Sequence, residues 1–256
     1  MSRELGDLCF GSLRNRKMRE ELVGVGRSIR NAHFQATDTF RTMKLPEIVN
    51  RLSCEEPPPV QIPPVSQLYG NTCGDIRPYW YMGCLAAAKR PNLVFEIGTY
   101  LGASALTFAL NSGPCCHIIT VDLPDGQENE STSTLSKGDK KLVRKALNNV
   151  GAAFHGHPLE KCITQLRLNS LTMDILEHLH GKTVDMFFID GGHSFECVSR
   201  DTETAFSALS PDGLILWDDY NWIFPDLRGF LQRVARTRPL VRIEGTQYVV
   251  CHPSFA

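Results

Sequence analysis

The sequence predicts an α/β fold with a doubly wound, mostly parallel seven-stranded sheet, a C-terminal antiparallel hairpin and an N-terminal helical arm. Beyond residue 64, short apolar runs alternate with helix-forming segments, which is the pattern of a parallel sheet covered by helices. In the segment LVFEIGTYLGAS, at 93–104, a short apolar run ends in an acid, and a glycine-bracketed turn then leads into a helix. Such a turn commonly forms a ligand crevice at the carboxyl end of a strand.

Five βα units and a final hairpin account for the seven strands. The strands are predicted near 93–97, 117–122, 162–168, 184–190 and 213–218, and the hairpin pairs LVRI with TQYVVCH across Glu244-Gly245. The helices are predicted near 75–89, 102–111, 137–150, 171–179, 194–208 and 226–236.

Five prolines in PPPVQIPP, at 57–64, force an extended connection. They predict a boundary between an N-terminal helical arm with its linker, 1–64, and a main domain, 65–256. Within the arm, NRKMREELVGVGRSIRNAHFQ is the best helix candidate, although its two glycines weaken it. The arm is expected to be a docked extension, a lid over a ligand or an oligomer contact.

Composition narrows the range of functions and compartments. A formal net charge of −1 gives no electrostatic reason to expect nucleic acid or an anionic membrane as a partner. No apolar run approaches the roughly 18 residues of a spanning helix, and the opening MSRELGDLCFGSLRNRK lacks the apolar core of a signal peptide. The nine cysteines show no CxxC pairing, which favours reduced thiols in a cytoplasmic protein.

The glycine turn after the first predicted strand favours one cofactor class over another. Gly98 and Gly102 follow a G-x-x-x-G spacing, and Glu96 precedes the first of them by two residues. The dinucleotide pattern G-x-G-x-x-G is missing, and a carboxylate here would repel a pyrophosphate at the helix N-terminus. It would suit a cationic head such as the ammonium of an amino acid, which points to S-adenosylmethionine rather than NAD.

The next two strands end in polar residues that could bind the rest of such a cofactor. Asp122 ends the second strand, where a carboxylate can accept hydrogen bonds from both ribose hydroxyls or simply cap the loop. Asn169 and Ser170 end the third strand, and either could meet an adenine edge. Ser170 would also serve as the N-cap of the next helix.

The fourth and fifth strands end in a concentration of acids. VDMFFIDGGH delivers Asp190 to the sheet edge, followed by two glycines and His193, and GLILWDDYNW ends in Asp218 and Asp219. Three carboxylates converging there would favour Mg²⁺, with Ca²⁺ or Mn²⁺ as substitutes. The alternatives are that His193 is a packing residue and that the paired acids face solvent and cap the following helix.

These motifs resemble the class I S-adenosylmethionine-dependent methyltransferases, and most closely the branch called methyltransferase domain family 24, which includes bacterial sugar and macrolide O-methyltransferases. The resemblance covers roughly residues 70–250 and is carried by FEIGTYLGAS, TVDLPDG, FFIDGGHSFECVSRD and LSPDGLILWDDYNW. It implies a Rossmann-like fold and a cofactor site formed by Glu96, Gly98, Gly102, Ser104, Asp122, Asn169, Ser170 and Asp190. It also implies a metal site at Asp190, Asp218 and Asp219.

The resemblance further implies that His193 is the catalytic base, since related catechol enzymes carry a catalytic lysine at this position and the sugar-modifying relatives carry a histidine. The expected activity is S-adenosylmethionine-dependent, Mg²⁺-dependent O-methylation of a hydroxylated small molecule, such as a sugar, a diol or a natural product. Two alternatives stay open. One is a non-catalytic ligand-binding protein that retains the fold, and the other is an NAD-dependent oxidoreductase, against which the missing G-x-G-x-x-G counts.

Overall fold

The computed structural model describes residues 38–53, 55–64, 75–124 and 149–256, together with Phe34. The chain forms two compact units, one of 40–220 with 224–256 and the other of 1–39 with 221–223. In the described part of the smaller unit, the backbone N–H of Asp38 donates to the carbonyl of Phe34 at 2.9 Å. The larger unit contains the sheet and every residue that the sequence predicts for the site.

Eight strands form one sheet in the larger unit. They are β1 (Thr42–Met43), β2 (Leu93–Ile97), β3 (His117–Asp122), β4 (Ile163–Arg167), β5 (Val184–Ile189), β6 (Leu209–Trp217), β7 (Leu240–Ile243) and β8 (Val249–Cys251). Their order across the sheet is β1-β7-β8-β6-β5-β2-β3-β4. All neighbours run parallel except β8, which is antiparallel to both β6 and β7. The predicted α/β class, with its mostly parallel sheet and C-terminal hairpin, is confirmed.

The eighth strand, β1, comes from the region that the sequence assigns to the arm. Thr42 and Met43 pair in parallel with Arg242 and Ile243 of β7. Two residues are too few to show an alternating pattern, so the sequence predicts seven strands and misses this edge strand. The arm–domain boundary near residue 64 itself stays a prediction.

The helices cover both faces of the sheet. They are α1 (Leu45–Leu52), α2 (Arg77–Lys89), α3 (Ala103–Asn111), α4 (Leu176–Leu179), α5 (Phe195–Ala208) and α6 (Pro225–Val234). Helix α4 is shorter than predicted because the amides of Thr172 and Met173 are bonded to the carbonyl of Asn169 in a turn. The helix predicted at 15–35 and most of the one at 137–150 lie outside the described residues. None of the helices in the described part of the chain has the length and apolar character that crossing a bilayer requires.

The alternation of side chains along the central strands determines what reaches the sheet edge. One face of the sheet packs into the main hydrophobic cluster through Val94, Met186, Phe188, Leu214, Leu216 and Val250. Because side chains alternate with a period of two, the next positions on this face are Glu96, Asp190 and Asp218. The core pattern therefore places three acids along one edge of the sheet.

Candidate active site

The glycine turn holds the end of β2 against the end of β5. Gly98 has φ +104° and Gly102 has φ +81°, a region that side chains disfavour. A Cβ atom on Gly98 would lie 2.1 Å from the carbonyl oxygen of Asp190, and one on Gly102 would lie 2.5 Å from the ring of Phe154. Both positions therefore require glycine, and the turn comes into direct backbone contact with the acid-bearing strand end.

Glu96 is a buried acid with an unused acceptor. Its side chain is fully buried, and the Thr120 hydroxyl donates to Oε2, while Oε1 has no hydrogen-bond partner among the described residues. Burial raises the pKa of Glu96 to about 7, although the hydroxyls of Ser104 and Thr120 oppose this rise. An orphaned carboxylate oxygen is costly to bury, and a donor such as an ammonium group would satisfy it.

Asp122 is held in place by backbone donors. Its Oδ2 accepts from the N–H of Tyr100 at 2.7 Å, and its Oδ1 accepts from the N–H of Leu123 at 2.8 Å. Each carboxylate oxygen can accept a second hydrogen bond. The carboxylate is therefore fixed beside the glycine turn in a geometry suited to the two hydroxyls of a ribose.

Asn169 and Ser170 lie in the turn after β4. The Oδ1 atom of Asn169 accepts from the N–H of Leu171 at 3.0 Å, so this amide also stabilises the turn. Ser170 does not cap the next helix, because α4 begins after Ile175. The Ser170 hydroxyl instead interacts with Asp201 of α5 and lowers the pKa of that acid.

Asp201 is a part of the site region that the sequence does not reveal. It is fully buried in α5, and its Oδ2 lies 3.1 Å from where a Cβ atom on Gly191 would sit. Burial raises its pKa to about 7, against the lowering effects of Ser170, Arg200 and His193. It is a charged residue on a buried helix face, but only the fold shows that this face lies beneath the Asp190–His193 turn.

The acids at the ends of β5 and β6 lie close enough to affect one another. The N–H of Asp190 donates to the carbonyl of Ile97 at 2.9 Å, and that of Asp218 donates to the carbonyl of Ile189 at 3.1 Å, so both residues extend the sheet ladder. Burial raises the pKa of Asp190 well above its ordinary value, and the charges of Asp218 and Asp219 add to the rise. Burial and the Asp219 charge raise the pKa of Asp218 to about 7.

One atom each from Asp190, His193 and Asp219 lie within 4.8 Å of one another. The Nε2 of His193 is 3.0 Å from the Oδ2 of Asp219, and its ring stacks on Phe224 with centroids 4.0 Å apart and planes 17° apart. Asp218 stands beside this cluster and accepts the N–H of Asp219 at 2.6 Å. The two carboxylates fit a hard divalent cation such as Mg²⁺ or Mn²⁺, whereas an imidazole is not a ligand that Mg²⁺ prefers.

The sequence identifies the acids and the histidine but does not predict how they group. It expects Asp190, Asp218 and Asp219 as one set, whereas the structure brings His193 together with Asp190 and Asp219. Asp219 reaches His193 because its backbone takes a left-handed conformation, φ +60°. Phe224, which stacks on the His193 ring, is also unforeseen, since no local pattern links a residue to a ring 31 positions earlier in the chain.

We expect the metal-free protein to lose stability as the pH rises from about 4 to about 7. Glu96 and Asp201 have folded-state pKa values raised to about 7, whereas both carboxyls titrate near 4 in an unfolded chain. The folded state therefore binds more protons in this window, and the free energy of unfolding falls as pH rises. Thermal unfolding in EDTA at about pH 5 and about pH 8 measures the difference. Asp201→Asn should reduce it, and a pH-independent midpoint would contradict the expectation.

Comparison with known families gives a match over the site itself. A family model described as a methyltransferase domain matches residues 95–220, which run from β2 to just beyond β6 and include the glycine turn and the acids. A comparison with curated protein sequences found no significant match.

Solved structures share the fold at low sequence identity. The O-methyltransferase TomG from Streptomyces achromogenes, in complex with SAM, is 12% identical, with 87% of this chain and 94% of that chain covered and a TM-score of 0.52. The SAH-bound methyltransferase PaMTH1 of Podospora anserina is 15% identical, with 93% and 96% covered and a TM-score of 0.51. The calicheamicin methyltransferase CalS11 is 15% identical, with 82% and 91% covered and a TM-score of 0.50.

Fold, glycine turn and family match agree on one assignment. The strand order places Glu96, Asp122 and Asp190 at the carboxyl ends of adjacent parallel strands, which is where α/β sheets bind their ligands. Residues 95–220 match the methyltransferase-domain family, and the chain has the fold of the SAM-bound and SAH-bound methyltransferases compared above.

Proposed function

We propose that the protein is an S-adenosylmethionine-dependent and Mg²⁺-dependent O-methyltransferase that acts on a hydroxyl group of a small molecule, with His193 as general base. The observation that carries this proposal is the partly buried cluster of Asp190, His193 and Asp219, whose ligand atoms lie within 4.8 Å of one another. The cluster stands at the same sheet edge as Glu96 and Asp122, the acids that suit the methyl donor. A base and a cation site would therefore lie next to a bound sulfonium.

Glu96 and Asp122 would hold the two ends of the donor. The free Oε1 of Glu96 suits the ammonium of the amino-acid end, and the fixed carboxylate of Asp122 suits the ribose. S-adenosylmethionine supplies a methyl group on a positively charged sulfur. Because methyl transfer removes that charge, catalysis gains most from alignment of the reacting groups in a site without water.

Asp190 and Asp219, with Asp218 beside them, would hold Mg²⁺. When bound, Mg²⁺ supplies Lewis-acid chemistry that lowers the pKa of a hydroxyl group. The raised pKa values of Asp190 and Asp218 support this assignment, because a cation would relieve the repulsion between these carboxylates.

His193 would accept the proton of the acceptor hydroxyl at the ring nitrogen that does not face Asp219, since Nε2 lies against that carboxylate. Only 8% of this residue is exposed, and the stacked ring of Phe224 fixes its orientation. Asp219, 3.0 Å away, would stabilise the imidazolium that forms. The bound methyl donor would supply its methyl group to the deprotonated oxygen, and the electron pair of the broken carbon–sulfur bond would go to the sulfur.

The acceptor belongs to the class of hydroxylated natural products, sugars or diols. Two proteins of the same fold support this choice, since one acts in tomaymycin synthesis and the other is a calicheamicin methyltransferase. The cluster itself suits oxygen acceptors, because a hard cation held by carboxylates prefers oxygen ligands.

Calorimetry with S-adenosylmethionine and with NAD, followed by a methyl-transfer screen, tests the proposal. We expect binding of S-adenosylmethionine alone, and Mg²⁺-dependent transfer of labelled methyl to hydroxylated acceptors that EDTA abolishes. Binding of NAD instead would favour an oxidoreductase. Binding of the methyl donor without transfer would favour a ligand-binding protein that has kept the fold.

A further inference from the structure

The hydroxyl group of Tyr248 is buried without a hydrogen-bond partner. Tyr248 is 3% exposed, and its Oη makes no hydrogen bond with any of the described residues. Its ring packs against Tyr81, with centroids 6.4 Å apart, and against Phe188, at 6.5 Å. The ring therefore packs in the hydrophobic core, but the unpaired hydroxyl destabilises the folded protein. A ligand-bound state that gave the hydroxyl a hydrogen-bond partner would remove this penalty.

The strand register places this hydroxyl next to the acids. Trp217 of β6 pairs with Val249 of β8 in antiparallel register, so the next pair towards the sheet edge is Asp218 with Tyr248. Ile189 of β5 pairs with Trp217, so Asp190 stands on the other side of Asp218. The side chains of Asp190, Asp218 and Tyr248 therefore form a row on one face of three neighbouring strands.

The acids beside Tyr248 affect its phenol. Burial raises the pKa of the phenol well above its ordinary value, and the carboxylates of Asp218 and Asp190 contribute next, ahead of Tyr79 and Asp219. A tyrosine hydroxyl can donate a hydrogen bond to a carboxylate. Its nearest acids are those of the proposed cation site.

We propose that Tyr248 is a positioning residue of the cation site, whose hydroxyl donates a hydrogen bond to the Asp218 carboxylate when the site is loaded. This inference rests on the proposed function, because it requires that the acids bind a divalent cation. Carboxylates at metal sites are commonly oriented by such outer hydrogen bonds. Tyr248 would hold Asp218 in place beside Asp190, and loading the site would satisfy the buried hydroxyl.

Tyr248→Phe in the full chain tests this role with two readouts, Mn²⁺ affinity and the stability of the metal-free protein. Titration with Mn²⁺ should give a Kd that is weaker by about 10- to 100-fold, which is the usual effect of losing an outer-shell partner. The thermal midpoint in EDTA should stay the same or rise, because the deleted oxygen has no partner in the metal-free protein. A tyrosine with only a packing role would leave the Mn²⁺ Kd unchanged, and that result would overturn the proposal.

Tyr81→Phe is the matched control, since it removes a hydroxyl from the ring that packs against Tyr248. It should leave the Mn²⁺ Kd unchanged, and an equal loss in both variants would overturn the assignment to Tyr248. If the wild-type protein binds no Mn²⁺, the proposed cation site fails and Tyr248 loses its role with it. If the wild type binds Mn²⁺ and Tyr248→Phe binds it equally well, only the role of Tyr248 is overturned.

Discussion

Replacement of His193 by alanine is expected to lower methyl transfer by about 10²- to 10⁴-fold, which is the usual contribution of a general base. Affinity for S-adenosylmethionine should be retained, because His193 belongs to the acid cluster rather than to the glycine turn. The ring lies 3.0 Å from Asp219 and is stacked on Phe224, so the variant removes a fixed proton acceptor. Initial rates at saturating donor, together with calorimetry for the donor, measure the two effects.

A Mn²⁺ titration of the same variant separates the two roles that the geometry allows for His193. If His193 is only a base adjacent to the cation site, the variant should bind Mn²⁺ with a Kd within a few-fold of wild type. If His193 is a direct ligand, the Kd should weaken far more. Undiminished turnover would remove His193 from the mechanism. His155→Ala is the control, because this half-exposed histidine pairs with Glu160 in a loop and should leave both readouts unchanged.

Asp190→Asn should have the largest effect on the cation site. We expect Mn²⁺ binding to weaken by more than about 100-fold and methyl transfer to fall with it, because the amide removes a charge that the cation requires. The metal-free protein should become more stable above about pH 4, where an unfolded aspartate ionises, since burial and the charges of Asp218 and Asp219 disfavour this carboxylate in its ionised form. Mn²⁺ titration and thermal unfolding in EDTA check the two parts.

Asp185→Asn provides the contrast on the same strand. Asp185 accepts the backbone N–H groups of Asn92 at 2.8 Å and of Leu93 at 3.3 Å, at the opposite end of β5 from the site. Its replacement should lower the thermal midpoint and leave Mn²⁺ affinity intact. If Asp190→Asn also lowered stability and kept Mn²⁺ affinity, Asp190 would be a structural acid rather than a metal ligand.

The strands that carry the site were predictable because their signals are local. Strand β2 and strand β3 have the predicted bounds, since each is a short apolar run that ends at an acid or just beyond one. The parallel order then follows from the alternation with helices, and it brings Glu96, Asp122 and Asp190 to one edge. This much of the site needs only strand periodicity and the tendency of ligands to bind at the carboxyl ends of parallel strands.

The remaining features depend on contacts between distant parts of the chain. The two-residue strand β1 exists because β7 offers it a partner, and the location of Asp201 beneath Gly191 depends on how α5 packs on the sheet. The sequence predicts Tyr248 only as a residue of the strand TQYVVCH. The register of β8 against β6 is what places it beside Asp218. Sequence patterns report which face a residue occupies, but not which residues from other elements share that face.

The positive φ of Asp219 limits which residues can replace it. Besides glycine, asparagine and aspartate are the residues that most readily adopt a left-handed backbone, so they are the cheapest replacements at this corner of the polypeptide. A variant with Asn or Gly at this position would lose the carboxylate of the proposed cation site and keep the backbone, while leucine or valine would introduce backbone strain. The backbone torsion angle of Asp219, as well as its charge, therefore limits which substitutions this position tolerates.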